Sequence, residues 1–225
     1  MQTIIRHKYK LAIVALLIFS SIIAMTIYGA RVVYADQIDY SFLPKNLFLA
    51  WMPLVIAAIT YTLANVRYIR IVTPISAFLW LIFFPNAPYI LTDFKHLQDQ
   101  VAYAPQWADV LLLIWFAWTG LLLGIVSLYL MHEIVKKIFG WLAGWAFVFG
   151  ASVLGAMGIY IGRFLRWNSW DILDSPLQIL KETLSIWINP FDAPSAIVFS
   201  ALFAMLFLFV YLIMYAFAHS VINES

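Results

Sequence analysis

The chain has no cysteine and very little charge. Without cysteine there is no disulfide, no thiol nucleophile and no thiolate metal site, so segments outside the helices are held by packing and polar contacts. Charged residues make up 11% of the 225 positions, and the formal net charge is only +2. Ordinary soluble domains carry about 25% charged residues, and a nucleic-acid interface needs a clustered basic face that this chain lacks. No nucleic-acid partner is expected. Also missing are a His-Glu-x-x-His string, a P-loop and a paired-glutamate protease motif.

What the sequence has instead is apolar bulk: 65% hydrophobic and 18% aromatic residues, with a mean hydropathy of +0.93. Six apolar stretches, at about 11–30, 47–63, 74–91, 110–131, 141–162 and 196–218, are each long enough to cross ~30 Å of hydrocarbon as a helix. They leave little chain for anything else. The expected fold is therefore all-α: a polytopic six-helix transmembrane bundle with one discontinuous helix and an outer interfacial helix, forming a single integral membrane domain over residues 1–225. The first span follows Arg6, His7, Lys8 and Lys10 but exceeds a signal core in length, and Tyr28 stands where cleavage after Ala30 would want a small residue. It reads as a retained anchor.

With the N-terminus inside, the cytoplasmic segments carry Arg6, Lys8, Lys10, Arg67, Arg70, Lys136 and Lys137 against Glu133 and Glu224, a net of +5. The other side nets −3, so the basic short loops place both termini in the cytoplasm.

The third span is interrupted by Phe84-Pro85-Asn86-Ala87-Pro88-Tyr89. Two prolines remove two backbone donors and bias Phe84 and Ala87 toward extended geometry, so freed carbonyls and the Asn86 amide need partners in the protein or in a wet cavity. With Thr73 as a cap and Pro74 opening the helix, Pro85 falls ~16 Å into the core, near the midplane, where discontinuous transporter helices place their ligands. A proline kink satisfied by neighbouring helices accounts for the same string.

Polar residues gather on the outer side of the break: Thr92, Asp93 and His96 after it, Asp109 opening the fourth span, and Arg163, Arg166, Asn168 and Asp171 closing the fifth. If the fifth helix continues, Arg163 and Arg166 share a face, so that one guanidinium pairs with a carboxylate while the other presents donors outward. An anion site follows from this, and so does a structural network in which Arg163 pairs with Asp93 or Asp109, with Trp167 and Trp170 as interfacial aromatics. Asp93 and His96 have the spacing of two metal ligands, which Asp99 and Asp109 would complete. A lone Asp-x-x-His is too common to carry a site, and neither metal nor cofactor is expected.

Gly150-Ala151-Ser152 has the look of an intramembrane serine nucleophile, but His132 and His219 lie at the opposite helix ends, so Ser152 reads as a packing residue. The acidic first loop, with Asp36 and Asp39, resembles that of polyprenyl-linked glycosyltransferases, a class for which six spans are few. Gly120-x-x-x-Gly124 and Gly158-x-x-x-Gly162 predict that the fourth and fifth spans touch there, which would bring Asp109 toward Arg163. Ser175-Pro176-Leu177-Gln178 reads as an N-cap and capping box opening an interfacial helix with Leu177, Leu180, Leu184 and Trp187 on one face. That helix would lie on the outer leaflet, as a surface element or as a lid over the polar cluster.

Phe84 to Asp93, Phe116-Ala117-Trp118-Thr119-Gly120, and the string from Gly158 to Asp171 resemble the bacterial membrane family catalogued as domain of unknown function 1361. The resemblance runs from about the second span to the sixth. It implies a multi-pass protein of the bacterial inner membrane and brings no catalytic residue with it.

The function expected from these observations is binding or transport of a polar or anionic envelope or lipid-headgroup ligand. Its binding residues would be Asn86, Asp93, Asp109, Arg163, Arg166, Asn168 and Asp171, with membrane lipids as surroundings. An envelope enzyme using Asp93 as base beside His96 is the alternative, as is a scaffold subunit whose glycine faces meet a second copy or another protein.

Overall fold

The computed structural model describes residues 2–63, 67–97, 104–188, 191 and 193–223, and Asp99 and Asp192 lie outside them. Every regular element among the described residues is helical. Six are long and apolar enough to cross a membrane: Leu11–Ala35, Phe42–Thr62, Ile69–Leu97, Gln106–Phe139, Trp141–Leu165 and Pro194–His219. The chain is thus an all-α, six-span, multi-pass membrane protein, as expected. Helices outrun the apolar stretches because end turns keep their backbone hydrogen bonds after the side chains become polar.

In chain order the helices are α1 (Gln2–Ala35), α2 (Phe42–Thr62), α3 (Ile69–Phe83), a single turn α4 (Asn86–Tyr89) running into a 3₁₀ segment (Ile90–Leu97), α5 (Gln106–Phe139), α6 (Trp141–Tyr160) ending in a π turn (Ile161–Leu165), the short α7 (Asp171–Asp174), α8 (Pro176–Ile188) and α9 (Pro194–Asn223). These form two compact units, Met1–Trp51 with Asn86–Leu123, and Met52–Pro85 with Gly124–Ser225.

In the first unit, small polar side chains join apolar helices. Ser20 and Thr119 hydroxyls meet at 2.7 Å, Trp115 Nε1 donates to the Ser20 carbonyl, and Trp51 Nε1 donates to Ser21 Oγ. A hydroxyl or indole N–H buried in hydrocarbon needs such a partner, so α1, α2 and α5 are fixed in register where these residues fall. Gly120 lets α5 approach the chain after the break. A Cβ there would stand 2.5 Å from the Ala87 carbonyl oxygen and 2.9 Å from Ile90 Cδ1.

In the second unit α6 packs chiefly against α9 and also meets α3. Phe84 stacks on Trp80 at 4.3 Å and meets the edge of Phe207 at 6.3 Å, while Gly155 and Gly158 leave room for Phe84 and Pro85. The glycines thus seat the break. The fourth and fifth spans touch at His132 with Gly144 and Trp145.

The break differs in shape from expectation. Phe84 keeps right-handed helical angles (φ −53, ψ −41), and its N–H still donates to the Trp80 carbonyl. Ala87 lies inside α4. The bias of a residue before proline is outweighed here, because stacking on Trp80 and the Gly155 socket hold Phe84 in the helix. The chain tightens into 3₁₀ geometry instead of extending. Helix α3 also starts at Ile69, with Pro74 inside it and Thr73 buried instead of capping. Within the candidate span Ile69–Leu97, Pro85 falls near the middle.

Candidate polar site

The predicted residues of the first unit are held by partners from other helices. Asp93, on the 3₁₀ segment, is 1% exposed and accepts a hydrogen bond from Asn46 Nδ2 of α2 at 3.0 Å. His96 lies one turn on, with its ring 4.7 Å from that of Phe42. Asn86 is half-buried at the first position of α4.

Asp109 occupies the first turn of α5, where the helix dipole favours a carboxylate. Its partner within the first unit is Arg31 of α1, whose Nε lies 2.9 Å from Asp109 Oδ1. Arg31 Nη1 reaches Asp39 Oδ2 at 3.2 Å, and the guanidinium carbon stands 4.8 Å from the centre of the Tyr40 ring. Asp36 and Tyr40 both take left-handed angles, with φ of 51 and 59, which folds the short loop back over the end of α1. The Tyr40 hydroxyl is buried and, among the described residues, completes no hydrogen bond of good geometry. Burial first, then the nearby Asp109 charge, pushes its phenol up to about 12. The available signal was an arginine ending an apolar helix just before two loop aspartates.

The second unit holds the other four predicted residues. After Tyr160, α6 widens into a π turn carrying Arg163, and Arg166 closes it at φ 61, ψ 28, donating its N–H to the Ile161 carbonyl. Because the α-helix does not continue, Arg163 and Arg166 do not share the helical face predicted for them. A left-handed non-glycine residue costs roughly 1–2 kcal/mol. The Arg166 side chain is exposed and makes no hydrogen bond or ion pair among the described residues, whereas Arg163 is engaged within the fold. Asn168 donates from its backbone N–H and its amide to Asp171 Oδ2, at 2.6 and 3.1 Å, so these two satisfy each other.

Around them the segment is tied down on both sides. Ser169 Oγ donates to the Ile82 carbonyl at 3.1 Å, and Trp167 Nε1 donates to Glu182 Oε2 of α8 at 2.7 Å. Hydrogen bonds from Trp167 and Gln178 lower the Glu182 carboxyl below its ordinary range. The expected capping box is not made: Gln178 reaches forward to Glu182, and the Ser175 N–H goes to the Asp171 carbonyl.

Ser152 is buried and donates to the Val148 carbonyl, a packing role. Also outside the predicted set, His132 is fully buried, with Nδ1 2.5 Å from Tyr211 Oη, among the rings of Trp145, Tyr211 and Tyr215. Among the described residues, no three His, Asp or Glu side chains group to hold a metal ion.

Fold and composition define a multi-pass, all-helical membrane protein with polar groups embedded at its helix ends. The sequence model of the family described as "Protein of unknown function (DUF1361)" matches residues 45–214, and the chain belongs to that family. No curated protein and no solved structure matches the chain.

Proposed function

We propose that this membrane protein binds a polar, anionic ligand of the envelope or lipid-headgroup type and serves its retention or transport, with Arg166 as the cation that meets it. The observation that supports this reading is the contrast at the end of α6: Arg163 is engaged, while Arg166 is exposed, left-handed and without a partner among the described residues. A strained backbone that presents an unpaired guanidinium is retained where the presented group has a use, and π turns recur at functional sites. Arginine offers a planar set of donors that suits a carboxylate or phosphate. Asn168 and Asp171 shape the turn behind it. In their own unit Asn86 and Asp93 are further ligand candidates, and Asp109 with Arg31 anchors the helix ends.

The family resemblance suggests a bacterial inner-membrane location, and the charge distribution supports cytoplasmic termini with an outward-facing Arg166. Enzymatic use of Asp93 as a base gains little support, since a base must face a cavity and Asp93 is 1% exposed with Asn46 upon it. Native mass spectrometry of the purified protein tests the reading. An anionic adduct on the wild type that disappears in Arg166→Ala supports it, and identical spectra overturn it.

A further inference from the structure

We infer that the ligand is an anionic phospholipid and that α8 supplies the surface for its acyl chain, an inference that rests on the reading of Arg166 given above. Leu177, Leu180, Leu184 and Ile188 recur at helical spacing along α8 and are 80, 54, 45 and 71% exposed. With Lys181 and Ser185 they line an open groove of about 390 Å³. The helix is fastened by Glu182, on its opposite side, to Trp167 and by Trp187, at the edge of the stripe, to Met157, which leaves the leucines exposed.

The charges of α8 are split by the same contacts. Glu182 is taken up by Trp167 and Gln178, which leaves Lys181 with no carboxylate partner among the described residues. An apolar groove edged by one uncompensated ammonium matches an amphiphile with a hydrocarbon chain and an anionic head, the stem of lysine lying along the chain and its tip on the phosphate. The Trp167 to Glu182 bond also ties α8 to the segment that presents Arg166, so the lipid-facing helix and that arginine belong to one fastened stretch of chain. A larger groove, on α1 and α2, is lined by Ile18, Ser21, Ile22, Met25, Thr26 and Trp51 and has no charged wall to select a head group.

The test is native mass spectrometry in detergent with three probes: phosphatidylglycerol, phosphatidylcholine of the same chains, and soluble glycerol phosphate. Wild type, Arg166→Ala, Lys181→Gln and the double variant Leu180→Gln/Leu184→Gln are compared. The wild type is expected to prefer phosphatidylglycerol over phosphatidylcholine, Lys181→Gln to reduce that preference about fivefold, and the leucine variant to weaken both lipids. Lys181 is exposed, so Lys181→Gln decides the question even if the leucine variant does not fold. Lipid binding unchanged in Lys181→Gln, or a second copy of the chain on the leucine face in place of lipid, overturns the inference. If glycerol phosphate binding is lost in Arg166→Ala while the wild type shows no preference for phosphatidylglycerol over phosphatidylcholine, the inference falls and the anion reading stands. If Arg166→Ala alters nothing while Lys181→Gln loses the preference, it is the Arg166 reading that falls.

Discussion

Ser169 Oγ donates to the Ile82 carbonyl at 3.1 Å, so the segment that carries Arg166 is bonded to the last turn of the helix that the prolines interrupt. The final carbonyls of any helix lack intrahelical donors and must be satisfied elsewhere. Here a side chain near Arg166 does it. The last turn of α3 and the arginine turn therefore stabilise one another within their unit, and the approach to the proline-rich string reads as a structural joint as much as a site.

Ser169→Ala should remove this part-buried bond. The expected loss is about 0.5–1.5 kcal/mol, read as a lower unfolding midpoint in detergent, with weaker anion binding because the Arg166 turn is no longer fastened. Unchanged stability would mean that the bond is incidental.

Gly155→Ala would place a Cβ 2.6 Å from the Phe84 ring, which is pinned by stacking on Trp80. Overpacking of this kind costs about 1–3 kcal/mol, more than the ~1 kcal/mol that alanine gains over glycine in a helix. Gly150 has nothing within 4 Å of its added Cβ, so Gly150→Ala should be neutral or stabilising. Thermal unfolding of both variants checks the contrast, and equal effects would remove the argument for a glycine socket.

Arg31→Ala should cost about 3–5 kcal/mol by stranding the buried Asp109 carboxylate. Asp39 is 26% exposed, and Asp39→Asn should cost ~1 kcal/mol or less. Equal losses in the two variants would contradict the assignment of Asp109 as the principal partner.

Alkaline stability should report on Tyr40. Its folded-state pKa is raised from 10.0 to about 12. The unfolded chain therefore releases this proton first, and stability is full below pH ~10 and falls as the pH rises toward 12. Tyr40→Phe should lack that part of the decline. Chemical unfolding of both proteins across this range checks it, and parallel curves would count against a buried phenol.

The six spans were legible because each is a long apolar run, and the break announced itself by two prolines within four residues. Its geometry was not legible, since Phe84 stays helical through a ring stack with Trp80 and a gap at Gly155 that lies 71 positions away. Asp109 was recognised as a helix-opening carboxylate, but its partner Arg31 is 78 residues distant, and no local pattern joins them. Arg163 and Arg166 looked like neighbours on one helix face. The π turn between them has no sequence mark, and it turned a presumed pair into one engaged and one presented cation.

The central claim, that Arg166 meets an anion, is tested most directly by equilibrium binding of glycerol phosphate to the detergent-purified protein at two ionic strengths. The account predicts saturable binding by the wild type that weakens with salt, at least about a tenfold loss in Arg166→Ala, the equivalent of ~1.4 kcal/mol, and partial retention in Arg166→Lys. Equal affinity in the wild type and Arg166→Ala, with both proteins folded, would contradict it.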